Sequence, residues 1–215
     1  MPVEIKFCGL TRPEDASFAA SLGAAYIGAI FAGGPRHLDP VRAADVFAAA
    51  GDAVQRVGVF GAARPAEVAR VARIAGVQVV QLHGDPDGEQ LRRVRAETGA
   101  RVWAVIRVAG SSLARRISEL DAEADAIVLD SFVAGQLGGT GRTFDWQIAA
   151  TGARPRLARL VVAGGLGAHN VGEAIRLLDP QVVDVSSGVE SAPGIKDHER
   201  MQAFADAIRR HYAQL

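Results

Sequence analysis

The chain has 215 residues, 49% of them hydrophobic, and its 24 Lys+Arg balance its 24 Asp+Glu. That length fits one large domain or two small ones, and a net charge of zero argues against the broad basic face that binds nucleic acid. One cysteine, Cys8, excludes an intramolecular disulfide and any multi-cysteine metal site.

The first β-branched run, VEIKF (3–7), ends just before Cys8. PEDASFAASLG follows with helical spacing and closes on Gly23, a suitable residue to end a helix. Thr11 and Glu14 have capping-box spacing, with Pro13 in the first turn. The pattern then repeats. Strand AAYIGAIF (24–31) precedes helix DPVRAADVFAAAG, and strand VQRVGVF (54–60) precedes helix RPAEVARVARIAG. Strand VQVVQLH (77–83) precedes helix PDGEQLRRVRAETG, and strand RVWAVIRV (101–108) precedes helix SSLARRISELDAEA. After strand DAIVLD (125–130) comes the glycine-rich stretch SFVAGQLGGTGRT, whose length suggests a lid or binding loop. Strands LARLVVAGG (157–165) and QVVDVSSG (181–188) follow, and KDHERMQAFADAIRRHYAQL closes the chain as an amphipathic helix.

Several runs are apolar at successive positions, as in parallel strands buried on both faces. Eight βα units in series predict a (β/α)8 TIM barrel spanning 1–215 as one compact domain; a doubly wound sheet is the alternative. No run approaches the roughly 20 apolar residues that cross a bilayer. The N-terminus lacks the basic and apolar regions of a signal peptide. The expectation is a cytoplasmic protein with no membrane partner.

Active sites of such barrels lie at the C-terminal ends of the strands. That rule selects Cys8 after strand one, Arg36 after strand two, His83 after strand four and Arg107 late in strand five. It also selects Asp130 after strand six, Gly164 and Gly165 after strand seven, and Asp184, Ser186 and Ser187 at strand eight. Loops seven and eight, with a short helix beginning at SSGVE, match the recurring phosphate site of these barrels. Ser187 and Glu190 have capping-box spacing there. Cys8 and Asp130 face each other across the barrel mouth, where a thiolate is a competent base and a buried carboxylic acid a competent acid. Each also has a bland explanation: a buried, inert cysteine and a capping aspartate. Arg36 fits a grip on an anion or a solvated loop position. His83 fits a site wall or a satisfied buried histidine.

KFCGLTRPEDA, GVF (58–60), QLHG (81–84), VLDS (128–131), GGTGRTFDW (138–146), VAGGL (162–166) and DVSSGVESAPGIKDHERM (184–201) together resemble the phosphoribosylanthranilate isomerases of tryptophan biosynthesis. The likeness runs in order from the first strand to the last helix. It implies a cofactor-free and metal-free Amadori rearrangement of N-(5-phosphoribosyl)anthranilate to 1-(2-carboxyphenylamino)-1-deoxyribulose 5-phosphate. Carried over, Asp130 is the general acid that opens the ribose ring and Cys8 the base that takes the C2 proton. Arg36 holds the anthranilate carboxylate, His83 and Asp184 contact substrate, and Gly164, Gly165, Ser186, Ser187 and Gly188 bind phosphate. The partner is a small phosphorylated molecule, and the protein a monomer or homodimer. One stretch departs from the family: Gly33-Gly34-Pro35-Arg36 stands where Ser-Pro-Arg is usual. A related isomerase of histidine biosynthesis has aspartate in place of Cys8, which argues against that reading. A non-catalytic sugar-phosphate-binding barrel would not need both Cys8 and Asp130.

Overall fold

The computed structural model describes residues 2–108, 113–131, 146, 154–155 and 157–213. Eight parallel strands close into a barrel in sequential order. They are β1 (Glu4–Cys8), β2 (Tyr26–Ile30), β3 (Gln55–Phe60), β4 (Val79–Leu82), β5 (Arg101–Val108), β6 (Ala126–Ser131), β7 (Arg159–Val162) and β8 (Val182–Val185). Every expected strand is present, and the closure of β1 on β8 rejects the open sheet. The long stretch after β6, including most of GGTGRTFDW, lies outside the described residues.

Helices α1 (Pro13–Ser21), α2 (Pro40–Ala48), α3 (Pro65–Ala75), α4 (Gly88–Thr98) and α5 (Leu113–Leu120) alternate with the strands. Their boundaries follow local chemistry. Pro40 and Pro65 open α2 and α3 at positions that need no amide donor. Asp87 caps α4 by accepting a hydrogen bond from the Gln90 amide. Two further helices are α6 (Val171–Leu178) and α7 (His198–Ala213). The expected helices omitted α6, although Val171, Ala174, Ile175 and Leu178 have helical spacing and all are buried. They also omitted a two-stranded hairpin, β9 (Glu190–Ala192) with β10 (Ile195–Lys196), between β8 and α7.

Both expected capping boxes are absent. The Thr11 hydroxyl donates to the Gly194 carbonyl at 2.5 Å, and Arg12 stands at the start of α1 without a side-chain cap. Thr11 therefore ties α1 to the β9–β10 turn. Ser187 opens a 3₁₀ turn of three residues, Ser187–Val189, and the Glu190 carboxylate turns away to meet Arg36 and Lys196. Spacing matched the motif, but tertiary ion pairs took the carboxylate.

Two apolar layers hold the barrel. Between strands and helices lie Phe7, Leu10, Phe47, Leu82, Leu91, Leu120, Ile127 and Phe204, among others. Inside the barrel, Tyr26, Val57, Val79, Trp103, Val105, Val128, Val161 and Val182 pack together. Alternation along each strand puts residues i and i+2 on one face. The same rows that fill the interior thus continue upward as Cys8, Gln81, His83, Arg107, Asp130, Asp184 and Ser186.

Candidate active site

Above that interior core is a cavity of about 550 Å³. It is lined by ten of the eleven residues singled out from the sequence and its family resemblance: Cys8, Arg36, His83, Asp130, Gly164, Gly165, Asp184, Ser186, Ser187 and Gly188. The eleventh, Arg107, is not in the lining and donates to the His83 carbonyl at 3.2 Å. Gln81, Leu166 and Pro193 line it too, and these were not anticipated.

Cys8 is buried. Burial pushes its thiol above the ordinary value, and the Asp184 carboxylate pushes the same way, while Lys6 and Lys196 oppose both. The thiol is therefore held in its neutral form more firmly than a free cysteine. Apolar surroundings outweigh the two cations. Room for the sulfur comes from Gly28, the partner of Cys8 in β2, where a Cβ would sit 3.0 Å from Sγ.

Lys6 occupies the position below Cys8 on the same face of β1. It is fully buried, and its ammonium donates to Asp184 Oδ2 at 2.6 Å. The two are register partners on neighbouring strands, so the pair is built into the barrel's hydrogen-bond lattice. Asp184 Oδ1 has no partner among the described residues, nor do Gln81 Oε1 and Ser186 Oγ. Three buried polar atoms lining one cavity are left for a ligand's polar groups to satisfy.

Asp130 is the next-to-last residue of β6, and its Oδ1 accepts from the Ser131 amide at 2.8 Å. Burial, reinforced by Asp184, raises its pKa to about 6, against the pull of that amide, Lys6 and Arg107. Its Oδ2 lies 3.4 Å from His83 Nε2. Burial, then Arg107, lowers His83 to about 4, so the ring is neutral at pH 7. His83 is thus a neutral wall beside the acid and not a charge partner for it.

The side of the cavity formed by loops seven and eight depends on missing side chains. Gly164 adopts a left-handed φ of 81°, and a Cβ there would lie 2.5 Å from the Ser131 amide nitrogen and 2.6 Å from Asp130 Oδ1. A Cβ on Gly188 would lie 2.0 Å from the Leu166 carbonyl oxygen, where loops seven and eight touch. Gly164 thus lets loop seven pass close to the end of β6, and Gly188 lets loop eight pass close to loop seven.

Arg36 reaches the cavity from the loop after β2 and is not a solvated loop residue. Its Nε donates to both Glu190 oxygens, at 2.8 and 3.1 Å, and its Nη2 donates to Oε2 at 2.7 Å. Lys196 donates to Glu190 Oε1 at 2.8 Å and to the Ser186 carbonyl at 3.1 Å. Sequence spacing did not reveal this cluster, because its members come from the loop after β2 and from a hairpin far away in the chain.

The family model described as N-(5'phosphoribosyl)anthranilate (PRA) isomerase matches residues 5–207. The chain belongs to this isomerase family. An N-(5'-phosphoribosyl)anthranilate isomerase from Rubrobacter xylanophilus is 43% identical over 212 residues, covering 96% of this chain and 98% of that protein. The crystal structure of the Thermotoga maritima isomerase superposes with a TM-score of 0.86 at 34% identity, covering 97% of this chain and 99% of that one. A solved isomerase in complex with reduced 1-(o-carboxyphenylamino)-1-deoxyribulose 5-phosphate has a TM-score of 0.82 at 32% identity, with coverage of 97% and 99%. The chain is thus an isomerase of the kind its sequence motifs resembled, on the TIM barrel they implied. No described helix is long and apolar enough to cross a membrane.

Proposed function

We propose that Asp130 and Cys8 carry the isomerisation of N-(5'-phosphoribosyl)anthranilate as general acid and general base. The observation that carries this is their joint presence in one cavity, with Asp130 pushed to about 6 by burial. An acid with a pKa near the working pH keeps a useful protonated fraction and still transfers its proton readily.

In the first step Asp130 gives its proton to the ribose ring oxygen. The C1–O bond breaks towards that oxygen, and the anilino nitrogen lone pair forms the C1=N bond of an iminium. In the second step the Cys8 thiolate removes the proton from C2, and the electron pair moves through C1 to nitrogen to give an enolamine. Gain of a proton at C1 and loss of the C2 hydroxyl proton then yield the ketone. The iminium charge that forms beside Cys8 joins Lys6 and Lys196 in favouring the thiolate, when it is needed.

Loops seven and eight, through Gly164, Gly165, Ser186, Ser187 and Gly188, hold the phosphate. Arg36 receives the anthranilate carboxylate and Asp184 a substrate hydroxyl. Phosphate binding far from the reacting carbons supplies orientation to the reaction at C1 and C2. A phosphorylated small molecule is accordingly the partner that this site supports.

The test is turnover of phosphoribosylanthranilate made in situ, followed by loss of its fluorescence. Wild-type protein should turn it over, and Cys8→Ser and Asp130→Asn should each lose at least about 100-fold in kcat. Near-normal kcat in either variant removes that residue from the mechanism.

A further inference from the structure

A guanidinium carries five N–H donors, arranged as a side edge (Nε with Nη2) and an end edge (Nη1 with Nη2). At Arg36 the side edge is occupied. Glu190 accepts from Nε and from Nη2, and no described residue accepts from Nη1. Arg36 lines the cavity, so its end edge remains for a ligand. That edge matches a planar carboxylate in the same two-bond manner.

The holder is itself held. The Glu190 side chain is 4% exposed and the Lys196 side chain fully buried. Lys196 ties the carboxylate to the Ser186 carbonyl in loop eight. Gly9 clears the path of the arginine, because a Cβ there would lie 2.8 Å from Arg36 Cδ. Two charged groups, Glu190 and Lys196, have thus been taken out of water around one arginine. Replacing such a cluster with apolar side chains often costs a fold nothing, so its presence asks for a further reason.

We propose that Glu190 is a positioning residue for substrate: it takes the side edge of Arg36 and so presents the end edge to the anthranilate carboxylate, with Lys196 fixing Glu190 to the phosphate loop. The inference rests on Arg36 being the residue that binds that carboxylate. Glu190 touches no reacting atom. It acts on binding of the aromatic acid and not on proton transfer.

The experiment compares Glu190→Gln, Glu190→Asp and Arg36→Ala with wild type. It reads kcat, KM and competitive inhibition by 2-aminobenzoate and by inorganic phosphate. Glu190→Gln should raise KM and the 2-aminobenzoate Ki by about tenfold or more, as expected when charge-assisted hydrogen bonds are released. Its kcat should change far less, and its phosphate Ki should stay near wild type. Glu190→Asp keeps the charge beside Lys196 but withdraws the reach to Arg36. It should show the same selective loss to a smaller extent, and it decides the case if Glu190→Gln does not fold. If Arg36→Ala weakens 2-aminobenzoate while both Glu190 variants leave it unchanged, Glu190 does no positioning and the inference falls alone. If Arg36→Ala also leaves it unchanged, the reading of Arg36 falls and takes this inference with it.

Discussion

The ammonium of Lys6 stands 2.6 Å from the Asp184 carboxylate, wholly out of solvent, directly beneath Cys8 on β1. This pair has two duties. It balances charge in the barrel interior, and its cation is the strongest influence opposing the burial of the Cys8 thiol.

Lys6→Met should destabilise the protein by about 3–5 kcal/mol in denaturant unfolding, since it strands a buried carboxylate. Lys6→Met with Asp184→Asn should recover much of that loss. Asp184 raises the Lys6 pKa above its ordinary value despite burial. A raised lysine contributes its full stability below the unfolded-state pKa and loses it only as pH climbs through the folded one. The effect should therefore be complete at pH 7 and fade only in strongly alkaline solution. Alkylation of Cys8 should also be slower in Lys6→Met; an unchanged rate would show that Lys6 does not support the thiolate.

Asp130→Asn should trade activity for stability. The folded protein raises this carboxyl from 3.8 to about 6, so folding favours its protonated form. The fold carries no penalty from it below about pH 4, and the penalty grows as pH rises from there through about 6. At pH 7 it amounts to roughly 3 kcal/mol, from 1.36 kcal/mol per unit. Thermal unfolding should show Asp130→Asn as the more stable protein at pH 7, with the gap closing near pH 4. Equal stability at both pH values would mean that burial does not strain this carboxylate.

The reactive form has Asp130 protonated and Cys8 ionised. Asp130 titrates near 6 and Cys8 above its usual range, so this form is a minor isomer of the opposite arrangement. Both isomers hold one proton between the pair, and their ratio does not change with pH. The profile of kcat/KM should therefore be level from about pH 6 to above the ordinary thiol value, and fall on either side. Asp130→Asn should lose the limb near pH 6 and show instead a residual rate that rises with pH as Cys8 ionises. Retention of an acid limb near 6 in that variant would assign it to another group.

Gly188→Ala should weaken inorganic phosphate as a competitive inhibitor by about tenfold or more, equivalent to 1.4 kcal/mol. Its new Cβ would meet the Leu166 carbonyl at 2.0 Å and force loops seven and eight apart. Gly33→Ala has nothing within 4 Å of its new Cβ and serves as the control. Equal phosphate inhibition in the two variants would remove loop contact from the account of this site.

The motifs of this chain were readable because they are local. Burial on both faces leaves apolar runs in parallel strands, and glycines mark the points where backbone must pass close to backbone. From these the eight strands, the barrel and nine of the cavity-lining positions follow; Gly188 came from the family resemblance, and Arg107, chosen by the same strand-end rule, does not line the cavity. The capping boxes were misread for the opposite reason. Two residues at the right spacing were free to find better partners elsewhere, Thr11 at the Gly194 carbonyl and Glu190 at Arg36 and Lys196.

By itself, then, the sequence determined the order of elements, the barrel and which residues ring its mouth, since strand periodicity and the strand-end rule act over a few residues at a time. Only the tertiary structure decided how those residues are charged and aimed. Barrel closure sets Lys6 against Asp184, burial lifts Asp130 and Cys8, and a hairpin from the far end of the chain holds Arg36. Desolvation and ion pairing depend on what stands across the cavity, and that is fixed only when the chain closes on itself.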